Sequence, residues 1–252
     1  MSDVRVVLKD VGKTFDNGTC ALAHFNLTVH AGDLVTLLGP SGCGKSTALR
    51  LIAGLAAPSA GTVSVPARKP GDIGFAFQEP TLMPWATVAD NVLLPLRLQK
   101  VPAAEARRRC ADVMALVGLA DFAHAYPHEL SGGMRMRASI ARALAPRPSL
   151  LLMDEPFAAI DEIGRFRLDD DLLALKKELA TTIIFVTHSV YESVYLASRV
   201  AIMAARPGRI IEEIAIDPPL PRGTDLRTSA AFLGYCGSAM RALARVAAED
   251  RP

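Results

Sequence analysis

Four short runs along the chain are almost wholly apolar and end on a glycine or a polar residue. They span Asp33 to Gly39 (DLVTLLG), Ile73 to Gln78 (IGFAFQ), Ser149 to Asp154 (SLLLMD) and Thr182 to His188 (TIIFVTH). None alternates strictly between apolar and polar residues, so each reads as a strand covered on both faces, as in a parallel sheet. Helical stretches lie between them, and that alternation predicts an α/β fold with a mostly parallel sheet. In open sheets of this kind, ligands sit beyond the carboxyl ends of the strands. The residues that follow each run are therefore expected to converge on one site.

A stretch of different character, roughly residues 85 to 145, separates the second run from the third. Within it, the segment from Pro102 to Leu119 begins with a proline suited to a first helical turn. Leu116, Val117 and Leu119 lie near its end, as in an amphipathic helix. This predicts a helical subdomain inserted in the sheet domain. Beyond about residue 215, a proline-rich segment (217–223) and a modest helical pattern reaching Ala248 predict a linker and a terminal helix, separate from the main domain of residues 1–215.

Composition narrows the function classes. A chain of 252 residues that is 50% hydrophobic and 21% charged can bury a substantial core. It has no uninterrupted apolar run of about 18 residues, so any membrane contact is expected to be peripheral. The opening MSDVRVVLKD lacks the cationic and apolar blocks of an export signal, which predicts a cytoplasmic location. Cys20, Cys43, Cys110 and Cys236 are widely spaced and form no CxxC pair, so they read as reduced thiols. With 28 Lys and Arg against 26 Asp and Glu, nothing points to nucleic acid. Arg107, Arg108 and Arg109 read as the solvated face of a helix. His124 and His128 have metal-pair spacing, but Pro127 between them favours a surface loop over zinc.

The candidate chemistry begins where the first run ends. Gly39, Pro40, Ser41, Gly42, Cys43, Gly44, Lys45, Ser46 and Thr47 match GxxxxGK[ST], a P-loop, directly before an apolar helix. The glycines let the backbone curl so that its N–H groups face a phosphate, and the helix N-terminus adds partial positive charge. Lys45 then reaches the β- and γ-phosphates, Ser46 ligates Mg²⁺, and Thr47 bonds a phosphate oxygen. The third run ends in Asp154 and Glu155, which suit a Mg²⁺ shell and a base that orients the attacking water. Ser131, Gly132 and Gly133 open a further helix and form a second anion nest, with Ser131 a good N-cap. Two phosphate nests in one chain suggest that one nucleotide is bound from two sides by two copies. A thiol adduct on Cys43, inside the loop, is expected to clash with phosphate, and bound nucleotide to shield it.

With these motifs in this order, the chain resembles the ATP-binding subunits of ABC transporters over nearly its whole length to about residue 215. The resemblance implies a P-loop NTPase core with an N-terminal antiparallel β part and the inserted helical subdomain. It further implies that Phe15 stacks on adenine, that Gln78 contacts metal and permease, and that Ser131 to Gly133 form the signature. Asp154 and Glu155 become the Mg²⁺ and catalytic carboxylates, Asp161 the dimer-interface aspartate, and His188 the switch histidine at the γ-phosphate. The implied ligands are ATP and Mg²⁺, enclosed by a head-to-tail dimer of two copies, or of one copy and a homologous subunit. Departures from the family pattern are Met134 where glutamine is usual, Ala158 and Ile160 before Asp161, and Ser189 where aspartate is common.

The segment from Phe77 to Trp85, running on to Asp90, Asn91 and Val92, looks like that of the nitrate, sulfonate and taurine import group. This implies a small-anion importer with a separate integral-membrane permease and an extracytoplasmic binding protein, the chain lying on the cytoplasmic face of the membrane. Leu82, Met83, Pro84 and Trp85 then offer an apolar docking surface beside Gln78, although Trp85 could equally pack within the helical subdomain. The competing expectation is a soluble ABC-type ATPase in iron–sulfur assembly or nucleic-acid work.

Overall fold

The computed structural model describes residues 3–66, 69–158, 160–218 and 221–249. Its strands and α-helices run β1 (Val4–Thr14), β2 (Cys20–His30), β3 (Leu34–Leu38), α1 (Lys45–Ala53), β4 (Ala60–Ser64), β5 (Ile73–Ala76), α2 (Val88–Leu98) and α3 (Ala103–Leu116). They continue with α4 (Gly132–Leu144), β6 (Leu150–Asp154), α5 (Glu162–Leu179), β7 (Thr182–Thr187), α6 (Val190–Leu196), β8 (Arg199–Ala204), β9 (Arg209–Ala215), α7 (Thr224–Arg227) and α8 (Ala230–Glu249). The chain divides into two compact units, residues 1–66 with 182–252, and residues 67–181.

In the first unit, β1 pairs antiparallel with β2 on one side and β4 on the other. Val6 and Leu8 of β1 and Phe25, Leu27 and Val29 of β2 are buried at alternate positions, so this sheet has one core face. A second group of strands is ordered β7, β3, β8, β9, with β3 parallel to β7 and β8, and β9 antiparallel at the edge. Every residue of β3 and β7 is buried, which explains why neither run alternates. Leu38 is in register with Thr187, so the loops that follow β3 and β7 leave the same end of the sheet. In α8, Phe232, Cys236, Ala239, Ala242 and Val246 form a buried stripe at helical spacing, and this helix packs against β8 and α6.

The second unit pairs β5 parallel with β6. Its helical core joins Val88, Val92 and Leu96 of α2, Cys110, Val113 and Met114 of α3, and Met136 and Ile140 of α4. Pro102 stands one residue ahead of its expected place in the first turn, as the N-cap of α3. The fold is α/β with mostly parallel strands, as the runs of apolar residues predict, together with a separate antiparallel sheet, as the resemblance implies, and added helices. Among the described residues no helix is long and apolar enough to cross a membrane.

Candidate functional site

In the first unit, the segment from Gly39 to Thr47 links the buried end of β3 to α1. Gly42 and Gly44 take left-handed φ values of 78° and 95°. A Cβ on Gly44 would lie 2.6 Å from Leu22 Cδ2 and 2.8 Å from the Ala21 carbonyl, so glycine is required there twice over. Lys45 is only 4% exposed, and its Nζ donates to the carbonyls of Gly39 (2.8 Å) and Pro40 (3.0 Å) across the loop. The N-terminus of α1 has no side-chain cap and no acidic residue in its own first turn. Ser46 and Thr47, in that first turn, are half-buried. The curled loop, the lysine and the helix N-terminus together suit a polyphosphate.

Cys43 departs from expectation. It is 1% exposed, and its Sγ lies 2.9 Å from where a Cβ on Gly39 would stand, so the thiol packs beneath the loop. The protein itself shields this sulfur, and the expected difference in labelling with and without nucleotide loses its basis. None of the four cysteines is in a disulfide. Burial raises the Cys110 thiol and pushes Cys236 up to about 11, which makes both poor nucleophiles.

His188 follows β7 directly, is exposed, and lies at the same sheet end as the P-loop. Its neighbours are pinned: the Ser189 amide donates to Thr187 Oγ1 (3.0 Å), and Ser189 Oγ caps α6 by accepting from the Glu192 amide (3.3 Å). Serine thus supplies the helix cap at the place where aspartate is common. Phe15, just after β1, is 42% exposed, with Lys13 Nζ 5.4 Å from its ring centroid. An exposed ring suits stacking better than core packing.

In the second unit, β6 ends on Asp154, which is 7% exposed, and the backbone then turns through Glu155 at φ 45°. A non-glycine residue in the left-handed region is uncommon, and such conformations gather at functional sites. Ser131 Oγ accepts from the Met134 amide (3.2 Å) and caps α4, leaving its own proton available to a ligand. A Cβ on Gly132 or Gly133 would meet nothing nearer than 3.9 Å, and neither has a positive φ. The chain's own packing does not demand glycine here; close approach by a ligand or another chain would. Asp161 caps α5 by accepting from the Gly164 amide at 2.8 Å. Gln78, just beyond β5, is exposed.

Two residues in this unit escaped sequence reasoning. Arg142 of α4 donates to the Pro80 carbonyl (2.9 Å), the Thr81 carbonyl (2.8 Å) and Thr81 Oγ1 (2.9 Å), fixing the segment just after Gln78. Desolvation holds its pKa below the usual arginine value. Asn91, fully buried in α2, accepts from the Met83 amide (2.7 Å) and donates to the carbonyls of Met83, Ala86 and Thr87. It thereby ties down the loop that presents Trp85, which is 77% exposed and does not pack in the helical core. Beside this loop, a groove of about 560 Å³ is lined by Phe75, Phe77, Thr81, Leu94, Leu98 and Arg142 among others. An asparagine near the start of a helix and an arginine near the end of one are the only traces of these roles in the sequence.

Among the described residues, no three His, Cys, Asp or Glu side chains cluster as a metal site. Within the second unit, Asp154 is a buried carboxylate at a strand end and Gln78 carries an amide oxygen; within the first, Ser46 carries a hydroxyl; each is a hard oxygen donor of the kind Mg²⁺ prefers.

Comparison with known proteins shows the family. Residues 22–158 match the family model described as ABC transporter. An uncharacterized ABC transporter ATP-binding protein of Methanocaldococcus jannaschii is 45% identical over 239 residues, covering 92% of this chain and 88% of that protein. The aliphatic sulfonates import ATP-binding protein of Bacillus licheniformis is 46% identical over 227 residues, 87% of each chain. An ATP-binding cassette solved as a dimer in a post-hydrolysis state with ADP and Pi superposes with a TM-score of 0.74 at 32% identity, covering 84% of this chain and 99% of that one. The chain belongs to the ABC transporter family as an ATP-binding subunit, and is an ATPase.

Proposed function

We propose that this ATPase powers the import of a small oxyanion, with an aliphatic sulfonate as the leading cargo and nitrate or taurine as neighbours in the same group. The observation that carries the energy-coupling half is the P-loop, with Lys45 buried against the Gly39 and Pro40 carbonyls at the uncapped N-terminus of α1. The cargo half is supported by the relative named for sulfonate import and by the segment from Phe77 to Trp85. That group's architecture calls for an integral-membrane permease, an extracytoplasmic binding protein, and a chain seated on the cytoplasmic face of the membrane.

Each residue has a distinct part in hydrolysis. The backbone from Gly39 to Gly44 receives the β-phosphate, and Lys45 exchanges its loop carbonyls for β- and γ-phosphate oxygens. Thr47 bonds a phosphate oxygen, and Phe15 stacks on adenine. Ser46, Gln78 and, indirectly, Asp154 would hold Mg²⁺, which would offset phosphate charge. Glu155 accepts a proton from the attacking water or orients it, and His188 donates to the γ-phosphoryl group. Ser131, Gly132 and Gly133 approach the γ-phosphate of the partner copy's nucleotide, which explains glycines that their own chain does not require. Asp161 lines that interface.

A strain lacking this chain tests the cargo. It is expected to lose growth on an alkanesulfonate as sole sulfur source while growing normally on sulfate. Normal growth on the sulfonate together with failed growth on nitrate would move the cargo to nitrate; normal growth on both would refute the assignment.

A further inference from the structure

The C-terminal segment grips one short helix, and that helix begins beside His188. At seven residues, α6 is too short to be stable alone, so its placement must come from what packs on it. Its N-terminal end is fixed by Ser189 and Thr187, which flank His188. At its other end, the final carbonyls of a helix lack intrahelical partners. Here one side chain of the tail takes two carbonyls at this end: Arg222 Nε donates to the Tyr195 carbonyl at 2.7 Å, and Nη2 donates to the carbonyl of the C-cap residue Ala197. Arg227 places its guanidinium carbon 3.5 Å from the centroid of the buried Tyr195 ring. From α8, Phe232 meets Tyr195 edge-on at 6.5 Å and Tyr191 at 6.1 Å. Tyr235 Oη donates to the Asp217 carbonyl at 3.0 Å, anchoring α8 to the chain leaving β9.

Burying the apolar stripe of α8 accounts for a terminal helix, but not for two arginines aimed at α6. A bidentate guanidinium on two carbonyls fixes orientation, and desolvating it is costly unless the geometry is held. We propose that Arg222, Arg227 and Phe232 make the C-terminal segment a positioning element for α6, and through α6 for His188 at the γ-phosphate. This rests on the role given to His188 above. The P-loop is built from β3 and α1, so nucleotide affinity is expected to be independent of the clasp, whereas the chemical step is not.

The test uses the full chain and compares Arg222→Ala, Arg222→Lys, Arg227→Ala and His188→Ala, with steady-state ATPase kinetics and binding of a fluorescent ATP analogue. Arg222→Ala is expected to lower kcat about tenfold or more, as misplaced groups do, with KM and analogue binding within about twofold of the parent. Arg222→Lys should recover part of the loss, because one ammonium cannot span both carbonyls. In a His188→Ala background, Arg222→Ala should cost little more, since the two act through one group. If His188→Ala is impaired while Arg222→Ala and Arg227→Ala turn over normally, the clasp is refuted and the histidine's role stands. A full extra loss in the double variant would likewise refute it. Normal turnover in His188→Ala overturns the histidine's role and this proposal with it. Should Arg222→Ala fail to bind the analogue, Arg222→Lys and Arg227→Ala decide the same question.

Discussion

Glu155 is held at φ 45° immediately after a buried aspartate and before the buried Pro156 and Phe157. A left-handed backbone at a non-glycine residue costs on the order of 1–3 kcal/mol, so the surrounding structure must impose it. The turn separates two adjacent carboxylates into different surroundings, Asp154 buried and Glu155 half-exposed. Such a split fits one group serving a metal and the other a water. Glu155→Gln keeps the shape, but it replaces one acceptor oxygen with a donor NH2 and cannot act as a base. Turnover is expected to fall on the order of a hundredfold or more, with ATP binding retained and the dimer trapped closed by ATP. Single-turnover hydrolysis and size-exclusion chromatography with ATP check both parts. Hydrolysis at the parent rate would show that Glu155 is not the catalytic carboxylate.

Between elements, α4 connects two parts of the candidate site: Ser131 caps its first turn, and Arg142 in its last turn holds Pro80 and Thr81 just past Gln78. Arg142→Ala removes three charge-assisted bonds, which is expected to lower stability by about 1–3 kcal/mol and loosen the segment after Gln78. Lysine should restore little, because its point charge cannot reach the three acceptors as a planar fork does. Hydrogen exchange at residues 79–83 reads this directly, and unchanged protection in the alanine variant would remove Arg142 from that role. The same contrast shows what could be foreseen. Strands β3, β6 and β7 were legible because burial on both faces leaves an unbroken apolar run, and the P-loop because its glycine spacing has few other uses. Arg142 was not legible, since its partners lie 61 and 62 residues away in an irregular loop. Arg222 is similar, reaching back 25 and 27 residues to a helix end. Nor does the spacing of a P-loop tell on which side Cys43 places its sulfur; only packing under Gly39 decides that.

At the scale of the whole molecule, an ATPase that powers transport must pass its nucleotide state to a membrane partner. Among the described residues no helix is long and apolar enough to cross a membrane, and the contact proposed for that partner is an exposed loop. Trp85 is proposed as its anchor: it is 77% exposed, yet the loop that carries it is held by four hydrogen bonds with the buried Asn91, one accepted and three donated. A rigidly presented aromatic loses little entropy on docking, and truncating such an anchor typically costs about 2 kcal/mol or more. The segment also follows Gln78 in the chain, and the groove wall includes Thr81, held by Arg142. Movement at Gln78 on binding or losing the γ-phosphate would therefore reach the docking surface within a few residues. Trp85→Ala is expected to leave folding and basal ATP hydrolysis near the parent level, because the ring contributes little to the core. Co-purification with the permease should weaken about thirtyfold in affinity, the equivalent of that 2 kcal/mol, and transport should fall with it. Unchanged retention and transport would take Trp85 out of the coupling path, and a drop in melting temperature of several degrees would return it to a packing role.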